Sequence, residues 1–429
     1  MKGHSFQNYI IQQIATGDLK PWSGQLFAVG GFVRDELFGR DSLDYDLVVV
    51  GIDSAESIAK ILKTNLKNEI TEPLKLGEHY PIWSFEFKQG PRIGLKVDIA
   101  ESQKEMFPKA EQRTRMVQPG TFAEDIQRRD FTMNMLARDL SNGQLIDESG
   151  SGVQDIQDRI LRSHPKIDAH KIMSDDPLRM VRAIRFCHTH GLILDSNLIG
   201  VLQTNAYRIS ILSVERILGE LKKVANPHKL GDALLDFDKL GMIKYIFDTE
   251  FEIEFSIQTS RVAEALNACI AGFDEQIAVL FSFFSQKIRN QMFDRFKIGQ
   301  KNQNRFESVY FAFEQIKDFK PTQLRPMMRR LGPDFFLLKL LVSLRGPERR
   351  IDFYQFESAC SYASLLPVFD KPQVRTEFIV LHSGRQLGPE LGEAIRATLE
   401  FEDSYVIDFG RWPTEVQYFE FLSKNFTPQ

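Results

Sequence analysis

Residues 26–50 confine this chain to few folds, because a strand, a glycine pair, a short helix and a second strand follow one another almost without a gap. Leu26–Val29 is an apolar run that predicts a strand. Gly30 and Gly31 follow it, Phe32–Phe38 predicts a short helix closed by Gly39, and Asp44 and Asp46 open a strand over Leu47–Val50. A glycine pair lets backbone approach a phosphate closely, and a helix starting beside it offers free N–H groups to the anion. Aspartates at i and i+2 of a strand point to one face, where two hard oxygen ligands can hold Mg²⁺ beside a triphosphate. Singly, a Gly-Gly pair is an ordinary turn and Asp-x-Asp an ordinary solvated strand edge. The composite, with Arg34 and Asp35 between, is far more specific.

The segment resembles the signature of the DNA polymerase β nucleotidyltransferase superfamily, and more narrowly the class II tRNA nucleotidyltransferase and bacterial poly(A) polymerase family. That family pairs Gly-Gly-x-Val-Arg-Asp with a later Asp-x-Asp, and Gly30, Gly31, Val33, Arg34, Asp35, Asp44 and Asp46 all match. The resemblance implies an α+β head, a small mixed β-sheet of nucleotidyltransferase type, followed by all-helical neck, body and tail domains. It implies Asp44 and Asp46 as catalytic metal ligands, with Asp98 in Leu95-Lys-Val-Asp-Ile as candidate third carboxylate. Gly30, Gly31 and Arg34 would position phosphates.

A chain of 429 residues has room for two to four domains. Residues 26–150 read as α+β, with strands at Ile82–Phe87 and Leu95–Ile99 and a helix over Ala55–Leu66, after an amphipathic helix over residues 5–20. Beyond about residue 150 helical periodicity dominates. Breaks near Gly150–Gly152 and at Asn226-Pro227 divide the chain into a catalytic head (1–150), a helical neck recognising the base (151–228) and a tRNA-binding body and tail (229–429). The 35 phenylalanines, many in the second half, suggest an aromatic helical core. Three distant cysteines form neither a disulfide framework nor a zinc motif, which fits a reducing cytoplasm. The N-terminal residues carry no apolar signal core, and the apolar stretch Phe335–Leu344 is too short to span a bilayer.

The net charge of −4 argues against nucleic acid globally, yet residues 287–350 hold fifteen Lys/Arg and six Asp/Glu. That local excess of nine positive charges suggests an RNA-binding face, with Arg329 and Arg330 as candidates; the competing reading is a set of solvated helix faces.

Two further constellations lie downstream. Arg128-Arg-Asp-Phe-Thr-Met-Asn134 alone reads as a helix start bearing a solvated basic pair. The family has Arg-Arg-Asp-Phe-Thr-x-Asn here, so the resemblance places Arg129 on the triphosphate, with Asp130 and Asn134 in the same nucleotide site. Glu148 stands where the family usually has proline, in a turn that keeps its glycines. In Ser174–Phe186, Asp176 suits a helix N-cap and Pro177 the first helical position. Asp176, Arg179, Arg182 and Arg185 recur every three residues and so neighbour one another along a helix. The family's Glu-Asp-x-x-Arg reads the incoming base here, which assigns Asp176 and Arg179 to the base, with Arg182 and Arg185 supporting; Asp175 takes the Glu position. Cytosine and adenine each present an amine donor beside a ring-nitrogen acceptor, and uracil and guanine reverse that order. An aspartate beside an arginine therefore admits C and A. Ser213-Val-Glu-Arg216 resembles the family's next motif, a helix bracing the neck.

These readings predict transfer of C and/or A from CTP and ATP to the 3′ end of tRNA by two-metal-ion chemistry, with Mg²⁺ as cofactor. Glu78 and His79 replace the basic segment usual in poly(A) polymerases, and no His-Asp dipeptide marks an appended phosphohydrolase domain. A poly(A) polymerase, a specialised CC- or A-adding enzyme, and a silent RNA-binding protein on the same fold remain as alternatives.

Overall fold

The computed structural model describes residues 2–77, 81–106, 116–316, 320–349, 351–364, 366–385 and 388–426. Glu78 and His79 lie outside the described residues. The chain forms two compact units, residues 1–252 and 253–429.

The first unit is built on a seven-stranded mixed sheet. Its strands are β1 (Leu26–Val29), β2 (Asp44–Val49), β3 (Leu74–Leu76), β4 (Ile82–Glu86), β5 (Lys96–Glu101), β8 (Leu136–Asp139) and β9 (Leu145–Asp147), in the order β3-β4-β5-β2-β1-β8-β9. A separate hairpin pairs β6 (Gln103–Met106) with β7 (Met116–Pro119). β1 is buried along its whole length, as an apolar central strand requires. β2 begins three residues before the predicted Leu47, so both aspartates lie inside the ladder.

Alternation along β2 divides its side chains between two faces. Tyr45, Leu47 and Val49 are buried on one side, where Tyr45 meets Phe6 of α1 (Lys2–Thr16) edge-on at 5.2 Å. Asp44, Asp46 and Val48 take the other side, and Val48 packs with Phe27, Ile126 and Met135. β2 and β5 run parallel with Asp46 opposite Asp98, so Asp98 shares the face of Asp44 and Asp46. This pair is the only parallel one in the seven-stranded sheet among the described residues.

The helices of this unit include α1, α2 (Gly31–Leu37), α3 (Ser54–Leu66), α4 (Phe122–Gln127), α5 (Gly152–Gln157), α6 (Ala169–Asp175), α7 (Leu178–His190), α8 (Ser196–Asn205), α9 (Val214–Ala225) and α10 (Leu230–Lys239). The basic pair Arg128-Arg129 does not start a helix. It ends α4, which opens on a Thr121–Glu124 capping box. The apolar residues that follow form a 3₁₀ turn, Thr132–Asn134, and then β8. Strand pairing with β1 overrides the helical reading of that short run. The turn with Glu148 closes without proline, because Asp147 Oδ1 and Oδ2 accept from the Gly150 and Val153 amides, both at 3.1 Å.

The second unit is helical. Phe281, Phe293 and Phe306 form a run of ring contacts within it, the aromatic packing that the phenylalanine content suggested. All three cysteines are free and buried. Among the described residues no helix is long and apolar enough to cross a membrane.

Candidate functional site

A cavity of about 360 Å³ opens where the first unit brings its three motifs together. Gly30, Gly31, Arg34 and Asp46 line it from the β1–α2 turn, α2 and β2; Arg128, Arg129 and Asp130 from just after α4 and Asn134 from the 3₁₀ turn that follows; Asp176, Leu178, Arg179 and Arg182 from the start of α7 and the residues before it; and Arg216 from α9. Six arginines against three aspartates suit an anionic ligand.

Gly30 sits at φ 72° and ψ −137°, a conformation that side-chain-bearing residues rarely adopt. A Cβ there would come within 2.8 Å of Asp46 Oδ2. The glycine thus sets both the turn and the approach to the carboxylate. Gly30→Ala is expected to cost about 1–3 kcal/mol of strain and to displace the Asp46 carboxylate. Nucleotide affinity should fall about tenfold or more; unchanged affinity with an unchanged melting temperature would show that the turn tolerates a side chain.

Burial raises the Asp46 pKa to about 6, with Arg129 opposing the shift and the like charges of Asp98 and Asp44 adding to it. Asp98 accepts from Ser84 Oγ at 2.5 Å and Lys96 Nζ at 2.7 Å. Among the described residues, no group of three or more His, Cys, Asp or Glu is arranged to hold a metal ion by itself. The donor set nevertheless fits a hard divalent cation. Mg²⁺ is characteristically held by one or two carboxylates, with waters and substrate phosphates completing the shell. A cation would relieve the burial and the neighbouring negative charges that raise the Asp46 carboxyl.

The arginines are held in different ways. Asp125 of α4 is buried and pairs with Arg128 at 2.8 Å and Arg129 at 3.3 Å. Sequence reasoning passed over Asp125, whose only local signal is its i,i+3 and i,i+4 spacing to those arginines. Arg34 donates to Asn134 Oδ1 at 2.8 Å, and Asn134 donates to Asp130 at 2.7 Å. Asp130 also pairs with Arg182 at 2.7 Å. Burial pushes its carboxyl up, but Arg182 and Asn134 hold it below the usual range. Asp130 and Asn134 both line the cavity, where they tie Arg34 to Arg182.

Asp176 combines two roles. Its Oδ1 accepts from the Leu178 amide at 3.2 Å, a capping bond made from one residue earlier than expected, since Pro177 rather than Asp176 stands at the N-cap of α7. Both carboxylate oxygens also accept from Arg216 Nη2, at 2.9 and 3.0 Å. Arg216 was read only as part of a bracing helix, and its place opposite Asp176 carries no local sequence signal. Arg179 is buried and spends its Nη1 and Nη2 on the carbonyls of Ile172 (2.9 Å) and Arg128 (2.6 Å). Arg185 is not part of the cavity lining. Its Nε lies 2.5 Å from Glu220 Oε2 of α9, an ion pair that lacks hydrogen-bond alignment, and burial lowers its pKa to about 10.

The predicted RNA-contacting arginines lie in the second unit, on helix Pro321–Leu331. Arg329 donates to the Phe369 carbonyl at 2.5 Å and bridges Asp403 at 2.9 and 3.0 Å, beside the buried Arg325–Asp403 pair at 2.8 Å. Arg330 is exposed and lies over the Phe311 ring at 5.2 Å.

With this geometry in place, the Poly A polymerase head domain family matches residues 26–162. A CC-adding tRNA nucleotidyltransferase of Shouchella clausii is 25% identical over 87% of this chain and 88% of its own length. A multifunctional CCA protein of Xylella fastidiosa is 35% identical over 37% of this chain, which spans about a third of that longer relative (33%). In fold, the chain is similar to the Bacillus stearothermophilus CCA-adding enzyme in complex with CTP, with a TM-score of 0.70, 21% identity, and 97% and 95% of the two chains covered.

Proposed function

We propose that this chain, which belongs to the class II tRNA nucleotidyltransferase and bacterial poly(A) polymerase family, adds C and/or A residues from CTP and ATP to the 3′ end of tRNA without a nucleic-acid template. The observation that carries this reading is one cavity lined by Gly30, Arg34, Asp46, Arg129 and Asp176 together. The reaction joins the RNA 3′ oxygen to the α-phosphorus and releases pyrophosphate. Arg34 and Arg129 bind the triphosphate oxygens, a task for which the planar guanidinium fork is suited. Asp44 and Asp46 would hold Mg²⁺, with Asp98 as third carboxylate. Such a cation would lower the pKa of the 3′ hydroxyl and neutralise charge on the triphosphate and leaving group. Asp176 accepts from the exocyclic amine of the base, with Arg179 as its partner and Arg182 and Arg185 supporting the helix.

The head (1–150), neck (151–228) and body with tail (229–429) then divide the work into chemistry, base choice and tRNA binding. A reducing cytoplasm suits the three free cysteines and the nucleotide substrates.

The direct test incubates the protein with tRNA lacking its 3′ terminus and CTP, ATP or both. C addition from CTP alone is expected, and the mixture tells CC from CCA addition. Long tails from ATP alone would replace this reading with poly(A) synthesis. No incorporation from any nucleotide would leave the silent RNA-binding protein.

The basic face is tested separately. Arg330→Glu is expected to weaken tRNA binding several-fold and to flatten its salt dependence by about one unit of slope or more. Arg329→Glu should mainly lower stability, because it sets a second acid beside Asp403. Unchanged affinity of Arg330→Glu across a salt titration would make that arginine merely a solvated surface group.

A further inference from the structure

We propose that His190, acting through Asp35, is a positioning residue that holds Arg34 in place to receive phosphate; the proposal rests on the reading of Arg34 as a phosphate-binding group. His190 ends α7 and is 7% exposed. Its Nε2 lies 3.3 Å from Asp35 Oδ1. The same carboxylate oxygen accepts from Arg34 Nε at 2.8 Å and makes an ion pair with Nη2 at 2.8 Å. Arg34 is itself buried, and it lines the cavity. The guanidinium is therefore gripped along one edge by Asp35, while Nη1 is gripped by Asn134.

Both grips return to one helix. Arg182 of α7 holds Asp130, which holds Asn134, which holds Arg34. His190, on the same helix two turns later, holds Asp35, which holds Arg34. Between them Phe186 lies under the guanidinium, 5.1 Å from its ring centroid, and Phe186 meets the His190 ring at 5.4 Å. α7 thus clasps Arg34 at three levels, from a helix that starts two residues after Asp176.

His190 suits an orienting role better than a charged one. Burial lowers its pKa further than Asp35 raises it, so near neutral pH it is an uncharged ring with one proton to direct. With that proton on Nε2 it donates to Asp35, and Nδ1 faces the Thr189 hydroxyl at 2.8 Å. Asp35, pushed up by burial, is held below the usual carboxylate range by His190 and Arg34 together. It is therefore an anion that could follow a freed arginine or swing from it. Without His190, Asp35 and Arg34 retain each other but lose their fixed orientation to the cavity. A preorganised phosphate donor is worth most when it need not be reoriented on binding.

The test measures equilibrium affinity for CTP and for inorganic tripolyphosphate, neither of which needs transfer to occur. The proteins compared are wild type, His190→Ala, His190→Gln and Asp35→Asn, with melting temperatures alongside. His190→Ala is expected to weaken both ligands about tenfold while tRNA affinity holds. His190→Gln, whose amide can donate to Asp35, should recover most of that loss. Asp35→Asn should weaken both at least as much as His190→Ala. A folded His190→Ala protein that binds both ligands like wild type overturns the proposal. So does a loss that His190→Gln does not restore although its melting temperature matches wild type. Wild-type protein that binds neither ligand overturns the phosphate role of Arg34 itself, and this proposal with it.

Discussion

Replacing Asp46 by alanine or asparagine is expected to lower nucleotide addition by about three orders of magnitude or more while tRNA binding survives. Asp46 lines the cavity, and the β2–β5 register sets Asp98 beside it on the face that also carries Asp44. Asp44→Ala should have a comparable effect. It is exposed, so its loss disturbs little packing. Asp98→Ala should cost less, because Asp98 is already shared between Ser84 and Lys96. Stability separates this reading from a trivial one. Burial and two neighbouring carboxylates disfavour the ionised Asp46, so Asp46→Asn should melt no lower than wild type at pH 7. An inactive protein of undiminished stability is therefore the expected signature. If either Asp44→Ala or Asp46→Ala keeps more than about a tenth of the wild-type rate, the two-carboxylate metal assignment fails.

The second large effect concerns the choice of base. If Asp176 reads the base as proposed, Asp176→Ala removes the acceptor for the exocyclic amine, and CTP and ATP should lose their advantage over UTP and GTP by roughly 10- to 100-fold, which corresponds to about 1–3 kcal/mol for one hydrogen-bond test. Two structural roles compete as explanations. Loss of the bond to the Leu178 amide costs about 1 kcal/mol of stability, and loss of the ion pair with the exposed Arg216 adds at most a similar amount. Neither changes which base is accepted. Arg216→Ala supplies the control, since it frees Asp176 without removing the acceptor. Its selectivity should shift less than that of Asp176→Ala. Relative rates with all four nucleotides, read beside melting curves, decide the matter. Preserved selectivity with a lowered melting temperature in Asp176→Ala would leave only the cap and the tether.

The sequence by itself determined the parts whose information is local. The strand, the Gly30-Gly31 turn and α2 follow from consecutive residues, because backbone conformation at a glycine and the two-residue period of a strand are written within a few positions. That period is enough to put Asp44 and Asp46 on one face. The cap at Asp176 and the helical second unit follow from the same kind of short-range pattern. The apolar run after Arg128-Arg129 shows the limit of such reading. It reads as helical, yet it forms a 3₁₀ turn and then β8, whose pairing with β1 lies far away in the chain. Partnerships across long stretches of chain were decided only by tertiary structure. Asp98 is brought beside Asp46 by a parallel register between strands some fifty residues apart. Arg216 faces Asp176 because α9 packs against α7, and the same packing draws Arg185 toward Glu220 and out of the cavity lining. Arg329, which the charge count marked like any other arginine, is taken by Asp403 from a helix more than seventy positions away. An arginine's spacing along a helix states which side it leaves from. What it meets there depends on how other elements dock, and that docking is driven by burial of apolar surface, which is non-directional and leaves no mark beside the arginine itself.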